Sequence, residues 1–142
     1  MTAKSPHIVI YDADCGLCRW CLALLLRADR DHRLRPLALG TPEADRLLAG
    51  MPRDEQFASW HLVDPSCRVT SAGAGLPTVL RLMPGGQLPA VVLALSPGLT
   101  ERGYRWVADH RTTLGPQIPD GAKRRATERI AAREAALRGG SG

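Results

Sequence analysis

The sequence predicts an α/β protein with a mixed sheet of about four strands, in the order β-α-β-α-β-β-α, followed by additional C-terminal helices. Three observations support this fold class. An apolar run at residues 7–11 leads directly into a segment rich in helix formers. An alternating apolar segment follows at residues 34–39, and two short strand-like segments flank a turn at residues 64–67.

The first half of the chain predicts a strand, a helix and a second strand. Residues 7–11 form an uninterrupted β-branched and aromatic run, which is typical of a buried strand. A helix is expected from Cys15 to about residue 29–33, with Asp14 or Cys15 at the N-cap. Residues 34–39 predict the second strand, and Pro36 favours a sheet edge because proline has no N–H to donate.

The second half predicts a helix, a hairpin and covering helices. Thr41 followed by Pro42 is a helix-start signal, and this helix should run to about residue 49. Residues 58–63 and 68–71 predict a hairpin, with Asp64 and Pro65 at the first two positions of a type I turn. Helices are expected at 74–83 and 87–113, with a break around 96–98. This order is the thioredoxin-like arrangement, in which the second and last strands are edges.

Residues 1–118 are predicted to form the thioredoxin-like domain with its helical extension, and residues 119–142 a charged tail. The tail holds six basic and three acidic residues, which leaves +2 of the net charge of +5 for the rest of the chain. Since Ile130 and Leu137 are its only bulky apolar residues, a solvated or frayed helix is expected, with disorder at 139–142. Contact with a partner or an anionic surface is the alternative.

Composition excludes two classes of partner and indicates a compartment. A modestly basic body does not predict nucleic-acid binding. The longest apolar stretches are about half of what a bilayer crossing needs, so no membrane span is expected. The first six residues show no secretory signal, and we therefore expect a cytoplasmic protein. Thiols are kept reduced there, so a cysteine cluster is more often catalytic or metal-binding than a structural cross-link.

Cys15 and Cys18 have the C-x-x-C spacing at the point where the first strand passes into the first helix. Two thiols in the first turn of a helix can close a disulfide, and the free N–H groups there stabilise a thiolate. Cys15, at the helix start, is therefore predicted to attack a disulfide, and Cys18 to resolve the mixed disulfide. Asp12 either accepts the proton of Cys18 during resolution or caps the turn. The alternative for the cysteine pair is that both thiols are buried and take part in no chemistry.

The segment Asp12-Ala13-Asp14-Cys15-Gly16-Leu17-Cys18 resembles the signature of the DCC family of predicted thiol-disulfide oxidoreductases. Segments 60–64 and 104–111 extend the resemblance. It implies a thioredoxin-like fold and a dithiol–disulfide activity in which the cysteine pair is itself the redox cofactor. The substrate would be a protein disulfide or a low-molecular-weight thiol, and a reducing partner would regenerate the pair. Ala13 departs from the glycine usual in the family.

Two other hypotheses compete with the redox one. Cys21 extends the spacing to C-x-x-C-x-x-C, which permits a metal module, but the fourth cysteine, Cys67, lies far along the chain in a turn. A redox-inactive interaction protein is the third possibility. None of the four histidines has metal-ligand spacing, although His61 and Trp60 lie in the segment expected to face the cysteines.

The loop before the third strand, residues 56–59, lacks the proline that thioredoxin-like proteins commonly place there to receive a substrate backbone. Substrate docking must therefore differ. If this loop cannot hold an extended peptide, the substrate is a small thiol or one dedicated partner.

Overall fold

A mixed sheet organises the chain in the computed structural model, which describes residues 5–139. Its four strands within that range are listed in chain order as β1 to β4: His7–Tyr11, Leu34–Ala38, His61–Val63 and Val69–Ser71. Their spatial order is β2-β1-β3-β4. β1 pairs parallel with β2 and antiparallel with β3, and β3 pairs antiparallel with β4. The predicted edge position of β2, which contains Pro36, is confirmed.

Eight α-helices cover the sheet in the described residues. In chain order, α1 to α8 are Gly16–Ala28, Pro42–Leu47, Arg53–Ala58, Leu76–Leu82, Gln87–Leu95, Pro97–Asp109, Arg111–Leu114 and Asp120–Gly139. Two 3-10 turns, Ala72–Gly75 and Gly115–Gln117, lie between helices or strands. No helix in residues 5–139 combines the length and the apolar character that a membrane crossing requires.

Local capping explains where α2 begins. The Thr41 side chain accepts a hydrogen bond from the Ala44 N–H, and Pro42 is the first helical residue. The helix ends at Leu47, and the chain turns at Gly50, whose φ of +93° is in the left-handed region that favours glycine. The predicted start is confirmed, and the end lies two residues earlier than expected.

The predicted third strand was too long at its start. Residues 53–58 form α3, a short helix that the sequence pattern did not indicate, and β3 begins only at His61. Pro52 stands at the N-cap of α3, and Asp54 and Glu55 lie in its first turn, where acidic side chains are favourable. The hairpin turn agrees with prediction, since the Cys67 N–H donates to the Asp64 carbonyl at 2.9 Å.

The core is divided between the two faces of the sheet. Val9 and Tyr11 of β1 pack on one face with residues of α1, α4 and α8, and Ile10 packs on the other face with residues of α2. This alternation follows from the period of two in a strand. The mixed sheet, its strand order and its helical layers are those of a thioredoxin-like fold, and the predicted fold class is confirmed.

The C-terminal helix corrects the expectation of a solvated tail. Ala126, Ile130 and Arg133 have helical i, i+4, i+7 spacing, and all three are buried. Their face of α8 packs on α1. Gly139, predicted to be disordered, is the last residue of α8, and residues 140–142 lie outside the described range. The proposed division of the chain at residue 118 stays a prediction.

A buried ion pair explains why this helix packs. Arg133 Nη1 donates to Asp29 Oδ2 at 2.6 Å and to the Leu34 carbonyl at 3.0 Å, while Nη2 donates to the carbonyls of Leu26 and Asp29. Asp29 is 1% exposed and also accepts the N–H groups of Arg33 and Leu34. The contact therefore joins α8, the end of α1 and the start of β2.

We expect Arg133→Met to lower the free energy of unfolding by about 3–5 kcal/mol, because the buried carboxylate of Asp29 loses its charged partner. Arg129→Met, on the exposed face of the same helix, is the matched control and should change stability by no more than about 0.5 kcal/mol. Urea denaturation of both variants measures the difference. Equal free energies of unfolding for the two variants would mean that the ion pair does not stabilise the packing of α8.

His61 gives stability a defined pH dependence. Its ring is 1% exposed and lies 2.6 Å from Ser71 Oγ and 2.9 Å from the Gln56 carbonyl. Burial lowers the pKa of His61, partly offset by the Gln56 hydrogen bond. The unfolded chain thus binds a proton at a higher pH than the folded chain, and stability is present above about pH 6.5 and lost as the pH falls towards the folded pKa.

We therefore expect the free energy of unfolding to fall between pH 7 and pH 5, and His61→Gln to reduce this dependence; the remainder comes in part from His7, whose pKa is also lowered by burial. His32→Gln, at an exposed position, should leave it intact. Urea denaturation across this pH range provides the measurement, and identical pH profiles for the native protein and His61→Gln would contradict the assignment.

Candidate active site

The turn between β1 and α1 presents Cys15 at the start of the helix. The Cys15 N–H donates to the Asp12 carbonyl at 3.3 Å, and the Asp14 N–H donates to Asp12 Oδ1 at 3.0 Å. Cys15 is the N-cap residue, with an extended backbone, and its sulfur accepts the N–H of Cys18 at 3.3 Å. Of the two predicted capping residues, Cys15 is thus the one used.

The two sulfur atoms of the C-x-x-C pair lie 2.6 Å apart, with the Cys18 thiol donating to Cys15 Sγ. Both cysteines are free thiols of intermediate burial. A disulfide bond is about 2.0 Å long, so a small movement of either side chain brings the sulfurs to bonding distance. The predicted site residues Cys15 and Cys18 are therefore together in space.

The two thiols have unequal surroundings. Burial raises the pKa of Cys18 far above its ordinary value, and the hydrogen bond to Cys15 raises it further. Cys18 consequently remains a protonated donor, whereas Cys15 Sγ accepts two hydrogen bonds at the N-terminus of α1.

A basic side chain of α8 lies at the start of α1, after the two acidic residues of the preceding turn, Asp12 and Asp14. The first turn of α1 contains no acidic residue. Lys123 of α8 lies against Gly16, where an added Cβ would be 3.3 Å from Lys123 Cε and 3.9 Å from Nζ. The ammonium group is thus beside the residue that follows Cys15, and it adds positive charge where a thiolate would form.

Asp12, the third predicted site residue, lies beside the pair. Its Oδ2 is 4.0 Å from Arg111 Nη1. The charge of Asp12 contributes to the raised pKa of Cys18, and the charge of Arg111 opposes it. Asp12 both supports the turn, through the Asp14 N–H, and places a carboxylate near the Cys18 thiol, so its two predicted roles are compatible.

A cavity of about 550 Å³ opens beside Cys18. One wall comes from β1 and α1, and the other from α5, α6 and the segment before β3, with mostly apolar side chains. The charged or titratable residues of the lining are Tyr11, Asp12, Cys18, Cys21, Tyr104 and Arg111. The Trp60 N–H donates to Tyr104 Oη at 3.2 Å, and burial raises the pKa of Tyr104.

The remaining cysteines and His61 do not join a metal cluster. Cys21 is exposed on α1 and lines the cavity, whereas Cys67 is exposed in the hairpin turn with a φ of +66°. Residues 5–139 contain no group of three His, Cys, Asp or Glu side chains that could hold a metal ion. The His61 ring is hydrogen-bonded to Ser71 Oγ and to the Gln56 carbonyl in the core. Trp60 lines the cavity, on the segment that the sequence predicted to face the cysteines.

Sequence reasoning did not single out Tyr104, Arg111 or Lys123. The first two belong to the segment 104–111 that extended the family resemblance, and this was a usable signal. Lys123 lies in the segment that was expected to be solvated. It is one of six basic residues there, and nothing in the sequence distinguished it from the others.

A C-x-x-C pair capping the first helix of a thioredoxin-like fold defines the general class of thiol–disulfide oxidoreductases. The model of the DCC1-like thiol-disulfide oxidoreductase family matches residues 9–116, which include the cysteine pair and all the residues that line the cavity. The chain belongs to this family. Searches of curated proteins and of solved structures found no significant match.

The raised pKa of Cys18 predicts unequal alkylation of the two thiols. With limiting iodoacetamide at pH 8, we expect Cys18 to react more than roughly tenfold more slowly than Cys15, since only thiolates are alkylated readily. Peptide mass spectrometry of the reduced protein measures both rates. Exposed Cys67 serves as the internal reference, and faster reaction at Cys18 than at Cys15 would contradict the assigned asymmetry.

Proposed function

We propose that this protein catalyses thiol–disulfide exchange, with Cys15 as the attacking thiolate and Cys18 as the resolving thiol. The observation that carries the proposal is the 2.6 Å contact in which the Cys18 thiol donates to Cys15 Sγ. It gives the pair both the proximity needed to form a disulfide and a difference in proton affinity. Family membership supports the same class of activity.

The reaction has two exchange steps. Cys15 thiolate attacks one sulfur of a substrate disulfide, that S–S bond breaks, and the released substrate thiolate takes a proton from solvent. Cys18 then loses its proton and attacks Cys15 Sγ, which releases the second substrate thiol. The substrate disulfide gains two electrons, and the dithiol becomes the Cys15–Cys18 disulfide.

The second step needs a base, because Cys18 holds its proton strongly. Asp12 is the carboxylate whose charge helps to raise the pKa of Cys18. Arg111 Nη1 lies 4.0 Å from Asp12 Oδ2. When Cys15 is in a mixed disulfide, its sulfur carries no negative charge. The Cys18 proton is then no longer needed to stabilise a neighbouring thiolate. We propose that Asp12 then accepts the Cys18 proton, directly or through one water molecule.

Turnover requires a partner that returns the disulfide to the dithiol. A separate reductase or a low-molecular-weight thiol is the chemistry that fits, and the substrate is a protein disulfide or a small disulfide. The cytoplasm, where thiols are kept reduced, is the compartment in which this direction of reaction would be sustained.

We expect Cys15→Ser to abolish single-turnover reduction of bis(2-hydroxyethyl) disulfide, a loss of at least about a hundredfold, because the nucleophile is gone. Cys18→Ser should react once and retain a mixed disulfide on Cys15, visible by intact mass spectrometry. Cys21→Ser and Cys67→Ser are the matched controls and should retain the activity.

Three results would count against this proposal, and two of them would favour a competing hypothesis. Full activity in Cys15→Ser would remove the proposed nucleophile, and a Cys15–Cys18 pair that resists oxidation at physiological potentials would indicate an inactive interaction protein. Stoichiometric zinc or iron bound to reduced protein would favour the metal module.

Asp12→Asn separates the two steps. We expect the first attack to proceed, and the mixed disulfide to persist because its resolution slows by roughly ten- to a hundredfold. Asp14→Asn changes the same charge in the same turn but at an exposed side chain, and it should resolve at the native rate. Rapid acid quench followed by intact mass spectrometry reports the intermediate. Equal resolution rates in the two variants would rule out Asp12 as the base.

A further inference from the structure

The cavity beside Cys18 has the dimensions and lining of a small-molecule site. Its volume of about 550 Å³ lies within the range typical of such sites, which are mostly apolar with a few polar groups. Val92 and Leu99 line it and remain 57% and 67% exposed, so apolar surface continues to its opening. The reactive end is marked by Cys18, with the carboxylate of Asp12 and the guanidinium of Arg111 beside it.

The backbone next to the cavity is not free to bind a peptide at Trp60. An extended peptide substrate would need main-chain donors and acceptors at the segment before β3. The Trp60 N–H already donates to Tyr104 Oη at 3.2 Å, and Tyr104 is itself part of the cavity wall. The Trp60 N–H is therefore not available to a substrate, and the mostly apolar lining supplies the main contact surface beside the cysteine pair.

We propose that the substrate is a small disulfide whose apolar body lies in this cavity and whose sulfur atoms lie at its Cys18 end, where Cys15 Sγ is 2.6 Å from Cys18 Sγ. This inference rests on the proposed function and specifies its substrate class. Cys15 thiolate attacks the nearer substrate sulfur and forms a mixed disulfide, and one apolar thiol leaves. Cys18 then forms the bond to Cys15, and the second apolar thiol leaves, so that two electrons pass from the dithiol to the substrate.

Two glycines of α6 provide a direct test of cavity occupancy. Gly103 lines the cavity, whereas Gly98 does not, and a Cβ added to either meets no atom within 4 Å. Gly103→Phe should therefore fill the cavity without displacing neighbouring atoms at the point of attachment. Gly98→Phe adds the same side chain to the same helix outside the cavity and is the matched control.

The kinetic experiment compares dibutyl disulfide with bis(2-hydroxyethyl) disulfide, whose sulfur atoms both carry primary alkyl groups. We expect kcat/KM for dibutyl disulfide to exceed that for bis(2-hydroxyethyl) disulfide by at least about tenfold. This ratio is first divided by the ratio of the rates at which free dithiothreitol reduces the two disulfides, which corrects for their intrinsic reactivity. Gly103→Phe should remove this preference. Gly98→Phe should retain both rates.

Binding is measured separately from reaction with Cys15→Ser protein. Dibutyl disulfide should displace the apolar dye 8-anilinonaphthalene-1-sulfonate from this variant, and Gly103→Phe in the same background should lose the dye. Retention of the dye at native affinity after the Gly103→Phe change would overturn the assignment of the cavity.

The remaining outcomes separate this inference from the proposed function. Cys15-dependent reduction of both disulfides without an apolar preference would overturn the substrate class and leave thiol–disulfide exchange standing. A preference for oxidised insulin over both small disulfides would overturn it as well, in favour of protein substrates. Absence of Cys15-dependent reduction with every disulfide would overturn both proposals.

Discussion

The hydrogen bond from the Cys18 thiol to Cys15 Sγ makes two identical side chains chemically different. It exists because Cys15 caps α1 from outside the helix while Cys18 lies one turn inside, where burial disfavours its charged form. The sulfur at the helix end thus accepts hydrogen bonds and the inner sulfur donates one. The proposed division of roles between attacking and resolving thiol rests on this geometry of a helix N-terminus.

This arrangement depends on the position of α1, which is fixed at its other end by a second buried interaction. Asp29 at the C-cap of α1 pairs with Arg133, and its two carboxylate oxygens also accept the N–H groups that begin β2. α8 therefore determines the position of the helix that carries the cysteines. It also brings Lys123 to Gly16, so the same helix contributes to both the packing and the charge of the site.

Short-range signals in the sequence predicted most of the fold and the redox pair. The strand before Cys15, the Thr41–Pro42 helix start and the proline in β2 each depend on neighbouring residues, and each was confirmed. The helix at α8 was predicted, but the expectation that it is solvated was wrong, because that expectation counted bulky apolar residues whereas Arg133 is buried against a carboxylate 104 residues away. α3 was missed because its six residues lack a periodic apolar face long enough to distinguish a helix.

The cavity could not be predicted for a related reason, since its two walls come from segments separated by about half of the chain. Tyr104 is the clearest example. As a residue of a predicted helix it carried no assigned role, yet in the fold its hydroxyl accepts the Trp60 N–H beside the cysteines. A main-chain donor bonded within the protein is withdrawn from substrate binding, and the apolar walls remain as the principal recognition surface. The proposed preference for apolar disulfides thus rests on the apolar walls, and the Trp60–Tyr104 hydrogen bond removes one donor that a peptide would use.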